Sequence, residues 1–462
     1  MFEPQPGARV FALAPGVDFA RALVDGLRAR LEGEPPEAMA RVQLIVNTHR
    51  MARRIETIFK AGPPGFLPRI SLVTGPADPR LAAELPPPVP ALRRRLELTG
   101  LIAKLLEAQP DLAPEAALFD LADSLALLMD EMQIEGVSPE ALEALDVTDQ
   151  SGHWQRALAF LTLARPFFDT LEAEPDAAAV QRLALERQLA LWEAAPPAHP
   201  VILAGSTGSR GTTQELMRRV AHLPQGAVIW PGFDTDMPRH VWQQLTEAGS
   251  LGGEDHPQYR FARLMAEMEL APTDVGLWTD EAAPAPGRNA LISLALRPAP
   301  VTDQWFEDGP KLADLRGATE GVTLVEAQTR RDEALAIALR LRQAAAEGVT
   351  AALITPDRML SRQVTAALDR FGLLPDDSAG LPALQTPPGR LLRQVARGLS
   401  GPLTAETLLA LLKHPLTHHP ERGLHTRAVT AFELWMRREG CPYPAPEHLA
   451  AFAATERGAP HA

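Results

Sequence analysis

The first 75 residues alternate between two hydrophobic patterns. Continuous apolar runs at residues 9–13, 41–46 and 70–73 are typical of short buried strands. Between them, residues 20–31 and 49–60 carry apolar side chains at helical spacing. Strands that alternate with helices predict a parallel sheet with right-handed crossovers. We therefore expect an α/β fold that opens with a strand, a loop and a helix.

The pattern changes after the proline-rich stretch at residues 85–90. From there to about Trp192 the sequence predicts nearly continuous helix, with an apolar stripe on one face and acidic residues on the other. The alternation of strand and helix patterns resumes with a strand at 201–205, a helix at 213–221 and a strand at 227–230. We interpret the helical stretch as an insertion, with the sheet completed after it.

A second α/β unit is predicted beyond a boundary rich in Pro, Ala and Gly near residues 282–289. Strand patterns at 322–325 and 351–355 alternate with helical patterns at 331–345 and 360–371. The rest of the sequence predicts short helices broken by loops.

The chain has 462 residues, more than one hydrophobic core usually serves, so two or three packed units are expected. The predicted fold class is α/β, with a split parallel-sheet domain, a helical acidic insertion and a second, truncated unit. These occupy, in that order, residues 1–85 with 197–300, residues 86–196 and residues 315–462.

Composition is that of a soluble globular protein, with 46% hydrophobic and 22% charged residues. The start lacks the basic and apolar regions of a signal peptide, and no apolar run is long enough for a membrane span. We expect a cytoplasmic protein without a membrane partner. The single cysteine, Cys441, excludes an internal disulfide and an all-cysteine metal or cluster site within these residues.

The net charge of −13 is unevenly distributed along the chain. Residues 1–110 carry 15 basic against 11 acidic residues, a net of +4, whereas residues 111–200 carry 4 against 17, a net of −13. Residues 201–462 carry 26 against 30, a net of −4. This asymmetry is compatible with nucleic acid on one face and solvent or a protein partner on another.

The opening strand–loop–helix invites a phosphate-binding interpretation, but the required residues are missing. The turn contains Pro15, which lacks an N–H donor, then Gly16, and then Asp18, whose charge would repel phosphate. None of the four lysines follows a glycine, and none stands two residues after Asp or Glu. A working Walker A loop and an Asp/Glu-x-Lys nuclease site are thus excluded. We predict a degenerate nucleotide loop, no catalytic residue and no metal.

Residues 205–213, GSTGSRGTT, form a loop that is rich in glycine, serine and threonine. One interpretation is a tight turn in which Thr212 or Thr213 caps the next helix. The other is a cradle for DNA phosphate or a phosphorylated ligand, made by the side chains of Ser206, Thr207, Ser209 and Arg210.

A second candidate site begins directly after the second predicted strand. Asn47 and Thr48 precede Arg50, Arg53 and Arg54, which share one side of a helix start. Amide, hydroxyl and guanidinium groups in this arrangement could contact a sugar–phosphate backbone. A solvated basic face is the alternative.

Four histidines lie close together in sequence near a Pro-containing loop. They lack an acidic or cysteine partner, so we predict no metal site there. They are His414, His418, His419 and His425.

Ten short sequence motifs, taken in their order along the chain, resemble those of the AddB family of alphaproteobacterial type. Members of this family are the non-motor subunits of AddAB helicase–nucleases. No single motif is diagnostic of the family, but the ordered set of motifs is specific. They are VFALAPGVDF (10–19), SGHWQR (151–156), AGSTGSR (204–210), PGFD (231–234), DHPQY (255–259), TRRDEA (329–334), ITPDR (354–358), DDSAG (376–380), QTPPG (385–389) and LLKHPL (411–416).

The resemblance implies a superfamily-1-helicase-like fold: a RecA-like sheet with a large helical insertion, then a second RecA-like unit. Family members work with an AddA-type motor subunit to resect double-strand breaks for recombinational repair. By position, residues 47–54 resemble a helicase motif that grips the DNA backbone. The implied partners are single-stranded DNA, broken duplex ends and the motor.

Two departures from the family limit what the resemblance implies. Some relatives keep a phosphate-binding loop, which these residues lack. The family's C-terminal nuclease domain, with its iron–sulfur cluster and Mg²⁺, has no counterpart here, so no cofactor is expected within these residues. A small-molecule α/β enzyme that binds a phosphorylated ligand at residues 205–213, or a pure assembly protein whose acidic helices dock a motor, are the alternative functions.

Overall fold

The computed structural model describes two compact units, Met1–Val322 and Thr323–Ala462. The described residues are 1–3, 5, 7–75, 79–108, 118–138, 140–141, 174–247, 253–312, 314–417, 420–455 and 458–459.

The first unit contains a six-stranded sheet in which every pairing is parallel. Its order is β3-β2-β4-β5-β1-β6. The strands are β1 Val10–Ala12, β2 Gln43–Val46, β3 Arg69–Leu72, β4 Val201–Ala204, β5 Gly226–Trp230 and β6 Gly276–Leu277. Strand β4, which follows the insertion, pairs directly with β2, which precedes it. The prediction that the sheet is completed after the insertion is therefore confirmed.

Thirteen α-helices of the first unit are described. They are α1 Phe19–Arg30, α2 Ala38–Arg41, α3 His49–Ala61, α4 Pro79–Glu84, α5 Ala91–Ala108, α6 Leu118–Glu135, α7 Ala177–Ala194, α8 Gly211–His222, α9 Arg239–Gln244, α10 Tyr259–Glu267, α11 Pro286–Ala295, α12 Gln304–Asp308 and α13 Leu315–Thr319.

The central strands are apolar because both faces of the sheet are covered. All residues of β4 and β5 are buried. Alternate residues of β4 enter different cores: Leu203 packs with residues of α8 and α10, and Ile202 with residues of α1 and α3. This three-layer arrangement, with its all-parallel sheet, is consistent with a RecA-like α/β fold.

The described part of residues 86–196 is helical. Helices α5 and α6 share an apolar core. Arg94, 9% exposed, bridges the helices by donating to Asp130 at 2.7 Å and pairing with Asp176 at 2.9 Å. Asp176, only 1% exposed, also caps α7 by accepting from the Ala179 N–H. The SGHWQR motif lies outside the described residues, as do residues 109–117, 139 and 142–173 of this part of the chain.

The regular elements of the second unit are all helices among its described residues. Helices α14 and α15 form one apolar cluster, whereas α17, α18 and α19 contribute to another. The helices are α14 Arg330–Ala346, α15 Arg358–Asp369, α16 Pro387–Ser400, α17 Ala405–Leu412, α18 Arg422–Glu439 and α19 Pro446–Ala453.

The predicted strands of this unit are wrong, although the two helices beside them are confirmed. Neither residues 322–325 nor 351–355 form a strand in the part of the chain that is described. Leu324 is 84% exposed and Ile354 is 95% exposed. A strand pattern becomes a strand only when a neighbour accepts its backbone hydrogen bonds, and these segments have no such neighbour among the described residues.

Within the described ranges, no helix combines the length and the apolar character that crossing a membrane requires.

Candidate nucleic-acid interface

The two loops predicted as candidate sites lie at the same edge of the sheet. In a parallel sheet the loops after the strands meet at the carboxyl edge, where α/β proteins usually bind ligands. Because β2 and β4 are neighbours, the segment that starts at Asn47 adjoins the loop that starts at Gly205. The Asn47 Nδ2 donates to the Gly205 carbonyl at 2.6 Å. The structure thus brings together candidates separated by 158 positions.

The Asn47 side chain connects two segments of the carboxyl edge and is not free to contact a bound molecule. Its Oδ1 is buried and accepts no hydrogen bond from a described residue. Gly205 has φ +79°, and an added Cβ would lie 3.2 Å from the Phe19 ring and 3.7 Å from Asn47 Oδ1. The close approach and the left-handed backbone both favour glycine at this position. The Asn47 Nδ2 is thus used within the edge, and its Oδ1 is not exposed to a ligand.

The arginines after β2 are exposed at the start of α3. Thr48 caps this helix by accepting a hydrogen bond from the Met51 N–H at 3.1 Å. The side chains of Arg50, Arg53 and Arg54 face solvent. Arg54 forms an ion pair with Asp18 at 3.1 Å, so part of its charge is already compensated. Arg53 retains an exposed guanidinium for an external anion.

The loop after β1, which the sequence predicts to be a degenerate nucleotide loop, contains a carboxylate at the start of α1. Asp18 caps α1 by accepting from the Arg21 N–H at 3.3 Å. The Pro15 carbonyl accepts from the Asn289 side chain at 2.9 Å. A negative group therefore occupies the helix N-terminus at which a phosphate would bind in a working loop.

The loop after β4 combines a buried turn with exposed polar tips. Ser206 is buried, and its hydroxyl accepts from the Gly208 N–H at 3.2 Å. Thr207, Ser209 and Arg210 are exposed. The tight-turn interpretation is correct for Ser206, whose hydroxyl is used internally, while the three exposed side chains can contact a ligand.

The predicted cap of the following helix is wrong. The N-cap of α8 is Arg210, which makes no side-chain capping hydrogen bond. Thr212 and Thr213 lie within the first turn and are buried. Neither threonine stands at the N-cap position, so neither caps the helix as predicted.

The carboxylate of Glu135, at the end of α6, takes the place of the missing cap. Its Oε1 accepts from the Gly211 N–H at 3.0 Å. Arg182 secures the same end of α6 by donating to the carbonyls of Gln133 and, at 3.1 Å, Ile134. The sequence offered no signal for this contact, because Glu135 and Gly211 are 76 positions apart.

A buried polar network after β5 joins two of the motifs that resemble the family, PGFD and DHPQY. Gln258 donates to the Gly232 carbonyl at 2.9 Å and accepts from the Asp234 N–H at 3.2 Å. His256 Nδ1 accepts from the Gln258 N–H at 3.1 Å. Burial lowers the pKa of His256, and the charge of Asp234 opposes this. The network holds the loop after β5 in place, and this loop lies at the carboxyl edge of the sheet.

Arg297 lies in the same region and is also internally paired. It donates to Gln304 at 2.8 Å and to the Ser293 carbonyl at 3.0 Å. Burial lowers the pKa of Arg297, whereas Asp234 raises it. These contacts hold the chain between α11 and α12, so this buried arginine has a structural role.

Two of the four clustered histidines, His414 and His425, are described, and both make hydrogen bonds within the chain. His425 Nε2 lies 2.8 Å from the Leu412 carbonyl, and His414 Nδ1 accepts from the Leu416 N–H. His418 and His419 lie outside the described residues. Within those described, no three His, Cys, Asp or Glu side chains are placed to hold a metal ion.

No protein-family model matches this sequence, and the curated proteins contain no match to it.

Proposed function

We propose that these residues belong to a non-motor subunit of an ATP-dependent DNA helicase–nuclease that resects double-strand breaks for recombinational repair. In this proposal the first unit is a RecA-like domain of superfamily-1 helicase type. The protein binds single-stranded DNA, broken duplex ends and an AddA-type motor in the cytoplasm. It has no ATPase or nuclease site within these residues and needs no cofactor of its own.

The observation that carries the proposal is the meeting of the two candidate segments at the carboxyl edge. The β2–β4 pairing and the hydrogen bond from Asn47 to Gly205 place the start of α3 beside the loop before α8. Arg53 and Arg210 are exposed there, together with the hydroxyls of Thr207 and Ser209. Guanidinium and hydroxyl donors of this kind bind phosphate oxygens without reading the bases.

Carboxylates of the protein already occupy two helix N-termini, which favours this proposal over a nucleotide-binding enzyme. Asp18 lies at the N-terminus of α1, and Glu135 lies at the N-terminus of α8. Each carboxylate interacts favourably with the positive end of its helix and would repel a ligand phosphate. A phosphorylated small molecule at residues 205–213 would have to displace Glu135. A DNA strand can instead contact the exposed side chains beside it.

Titration of a labelled single-stranded oligonucleotide tests the proposal. We expect the affinity of the wild-type protein to fall steeply between about 50 and 200 mM salt, because phosphate binding releases counterions. The variant R53A/R210A should bind on the order of tenfold more weakly at low salt.

The control variant is R41A/R69A, which removes the same charge at the opposite, amino edge of the sheet, where Arg69 begins β3. It should bind like the wild type. A salt-independent affinity, or equal losses in both variants, would contradict the proposal. Thermal stabilisation by ATP or a sugar phosphate, but not by DNA, would support the small-molecule enzyme instead.

The motor partnership needs a separate experiment. Charge reversal of acidic residues in 111–150 should weaken co-purification with an AddA-type motor if the acidic segment docks it. Retention of the complex at wild-type yield would remove this segment from the proposed interface.

A further inference from the structure

Helix α16 of the second unit presents three arginines to solvent. Thr386 caps the helix by accepting from the Gly389 N–H at 3.3 Å. The side facing Leu403 and Leu411 includes Gly398, whose added Cβ would lie 3.5 and 3.9 Å from their methyl groups. Arg390, Arg393 and Arg397 are exposed on another side of the helix. We call these three residues the arginine stripe.

The arginine stripe is narrow and continuous. At about 100° per residue, its three positions fall within an arc of roughly 60° on the helix surface. The first and last Cα atoms are separated by about 10 Å along the axis, since each residue rises about 1.5 Å. Three guanidinium groups therefore follow one line on the surface.

The charge of the arginine stripe is not compensated within the described residues. The sequence of α16, PPGRLLRQVARGLS, contains no carboxylate. Across the described ranges, the structure shows no ion pair or side-chain hydrogen bond for Arg390, Arg393 or Arg397. Two exposed arginines of the first unit are paired, by contrast: Arg95 with Asp123 at 2.7 Å, and Arg54 with Asp18 at 3.1 Å.

We infer that the arginine stripe binds the phosphodiester backbone of a nucleic-acid strand. A guanidinium presents a planar fork of donors that matches two phosphate oxygens. Phosphates in one strand of a duplex recur about every 3.4 Å along its axis, so a stripe about 10 Å long spans three or four of them. The surface lies in a different unit from the carboxyl edge of the sheet, and the inference rests on the proposed function only for the identity of the polyanion.

The opposite side of α16 supplies the competing explanation. Leu392, Val395 and Leu399 are exposed there, within an arc of roughly 60° that lies far from the arginine stripe. A phosphate backbone would leave these side chains in solvent. An anionic membrane surface would instead bury them, because an interfacial helix inserts its apolar face. The two explanations therefore assign opposite importance to the leucines.

The test uses the full chain and a fluorescent single-stranded oligo(dT) as the probe. The variant R390A/R393A/R397A should bind about tenfold more weakly at 50 mM salt. Its plot of log affinity against log salt should be shallower by about 2, since each phosphate contact on a single strand contributes about 0.7. The variant L392S/L399S should bind like the wild type.

The matched control is R358A/R362A/R370A, which removes three exposed arginines from α15 and the residue after it in the same unit. This helix has carboxylates at both ends, Asp357 and Asp369, and the control should change affinity less than about twofold. Circular dichroism confirms that each variant is folded before it is compared.

An unchanged salt slope in R390A/R393A/R397A would overturn the inference, as would an equal loss in the α15 control. Binding to vesicles containing phosphatidylserine that is abolished by L392S/L399S, without an effect of the arginine variant on DNA, would assign α16 to a membrane surface. If R53A/R210A weakens DNA binding and the stripe variant does not, only this inference fails. If the wild-type protein does not bind DNA, the proposed function fails as well.

Discussion

Gly211 lies at one of the contacts between the helical insertion and the sheet domain. A Cβ at this position would lie 2.9 Å from the Glu135 Cα and 3.0 Å from the Ile134 carbonyl oxygen. Both are backbone atoms, so the end of α6 would have to move away from α8. The glycine is needed here for close approach between two helices rather than for a turn.

Replacement of Gly211 by alanine should therefore destabilise the protein by about 1–3 kcal/mol, the usual cost of overpacking. Thermal unfolding measures the effect. The control is Gly287→Ala in α11, where an added Cβ meets only the Ala318 Cβ, at 3.9 Å. The control should be neutral or slightly stabilising, because alanine is the better helix former. Equal melting temperatures for the two variants would argue against the close contact at Gly211.

We expect His256 to make the stability of the first unit dependent on pH. Its Nδ1 accepts a hydrogen bond from the Gln258 N–H, which requires that this nitrogen carry no proton. Burial lowers the pKa of His256 in the folded state. The unfolded chain therefore takes up the proton first as pH falls, and stability decreases from about pH 6.5 downward.

We expect the wild-type protein to lose stability between pH 7.5 and 5.5 and His256→Asn to lose less of it. The asparagine side-chain oxygen can accept the same hydrogen bond without titrating. Urea unfolding at several pH values provides the measurement. His222→Asn, which changes an exposed histidine at the end of α8, should keep the wild-type dependence. An identical pH profile for His256→Asn and wild type would exclude this role for His256.

At the scale of single residues, the sequence indicated which side chains could contact DNA but not how each is used. Arg53 and Arg210 are exposed as the candidate site requires. Ser206 is buried in its own turn, and Arg54 is paired with Asp18. The pairing of Arg54 depends on a residue 36 positions away, which a local pattern does not contain.

Helices α5, α6 and α7 are joined by a buried charge cluster. Arg94 contacts Asp130 and the fully buried Asp176. The next residue, Arg95, pairs with Asp123 in solvent, with its side chain 43% exposed. The two neighbouring arginines thus make similar pairs in opposite environments, which decides how much each contributes to stability.

Arg94→Met should destabilise the insertion by about 3–5 kcal/mol, because it leaves the buried carboxylate of Asp176 without its charged partner. Arg95→Met should cost no more than about 1 kcal/mol, since water screens the exposed pair. Hydrogen exchange in α5–α7 compares the two variants directly. Similar protection in both would show that the buried cluster does not hold the helices together.

At the scale of elements, helices were easier to predict than strands. The predicted helices at 49–60, 331–345 and 360–371 correspond closely to α3, α14 and α15. A helix satisfies its hydrogen bonds within itself, so its periodicity is sufficient to predict it. The strand patterns at 322–325 and 351–355 failed because a strand also depends on a neighbour.

At the scale of the whole molecule, the boundary between the units falls in an exposed segment. Every residue from 321 to 329 is exposed, and none of them belongs to a helix or strand. The first unit ends at Val322 and the second begins at Thr323. Exposed segments without regular structure are preferred sites of proteolysis.

Limited digestion with a protease specific for glutamate should therefore cut early after Glu326. Mass spectrometry should detect fragments ending at Glu326 while the bonds after Glu193 and Glu267, within or at the end of α7 and α10, remain intact. Persistence of the Glu326 bond after those helices have been cut would contradict the boundary.

The sequence by itself determined the parallel α/β character of the first unit, the helices and the absence of Gly-Lys and Asp/Glu-x-Lys motifs, because these depend on local spacing and residue identity. Only the tertiary structure decided that β4 returns to pair with β2, that Glu135 reaches Gly211 and that the second unit's strand patterns stay unpaired among the described residues. The reason is that pairing depends on which distant segments become neighbours, and no periodicity within one segment records its partner.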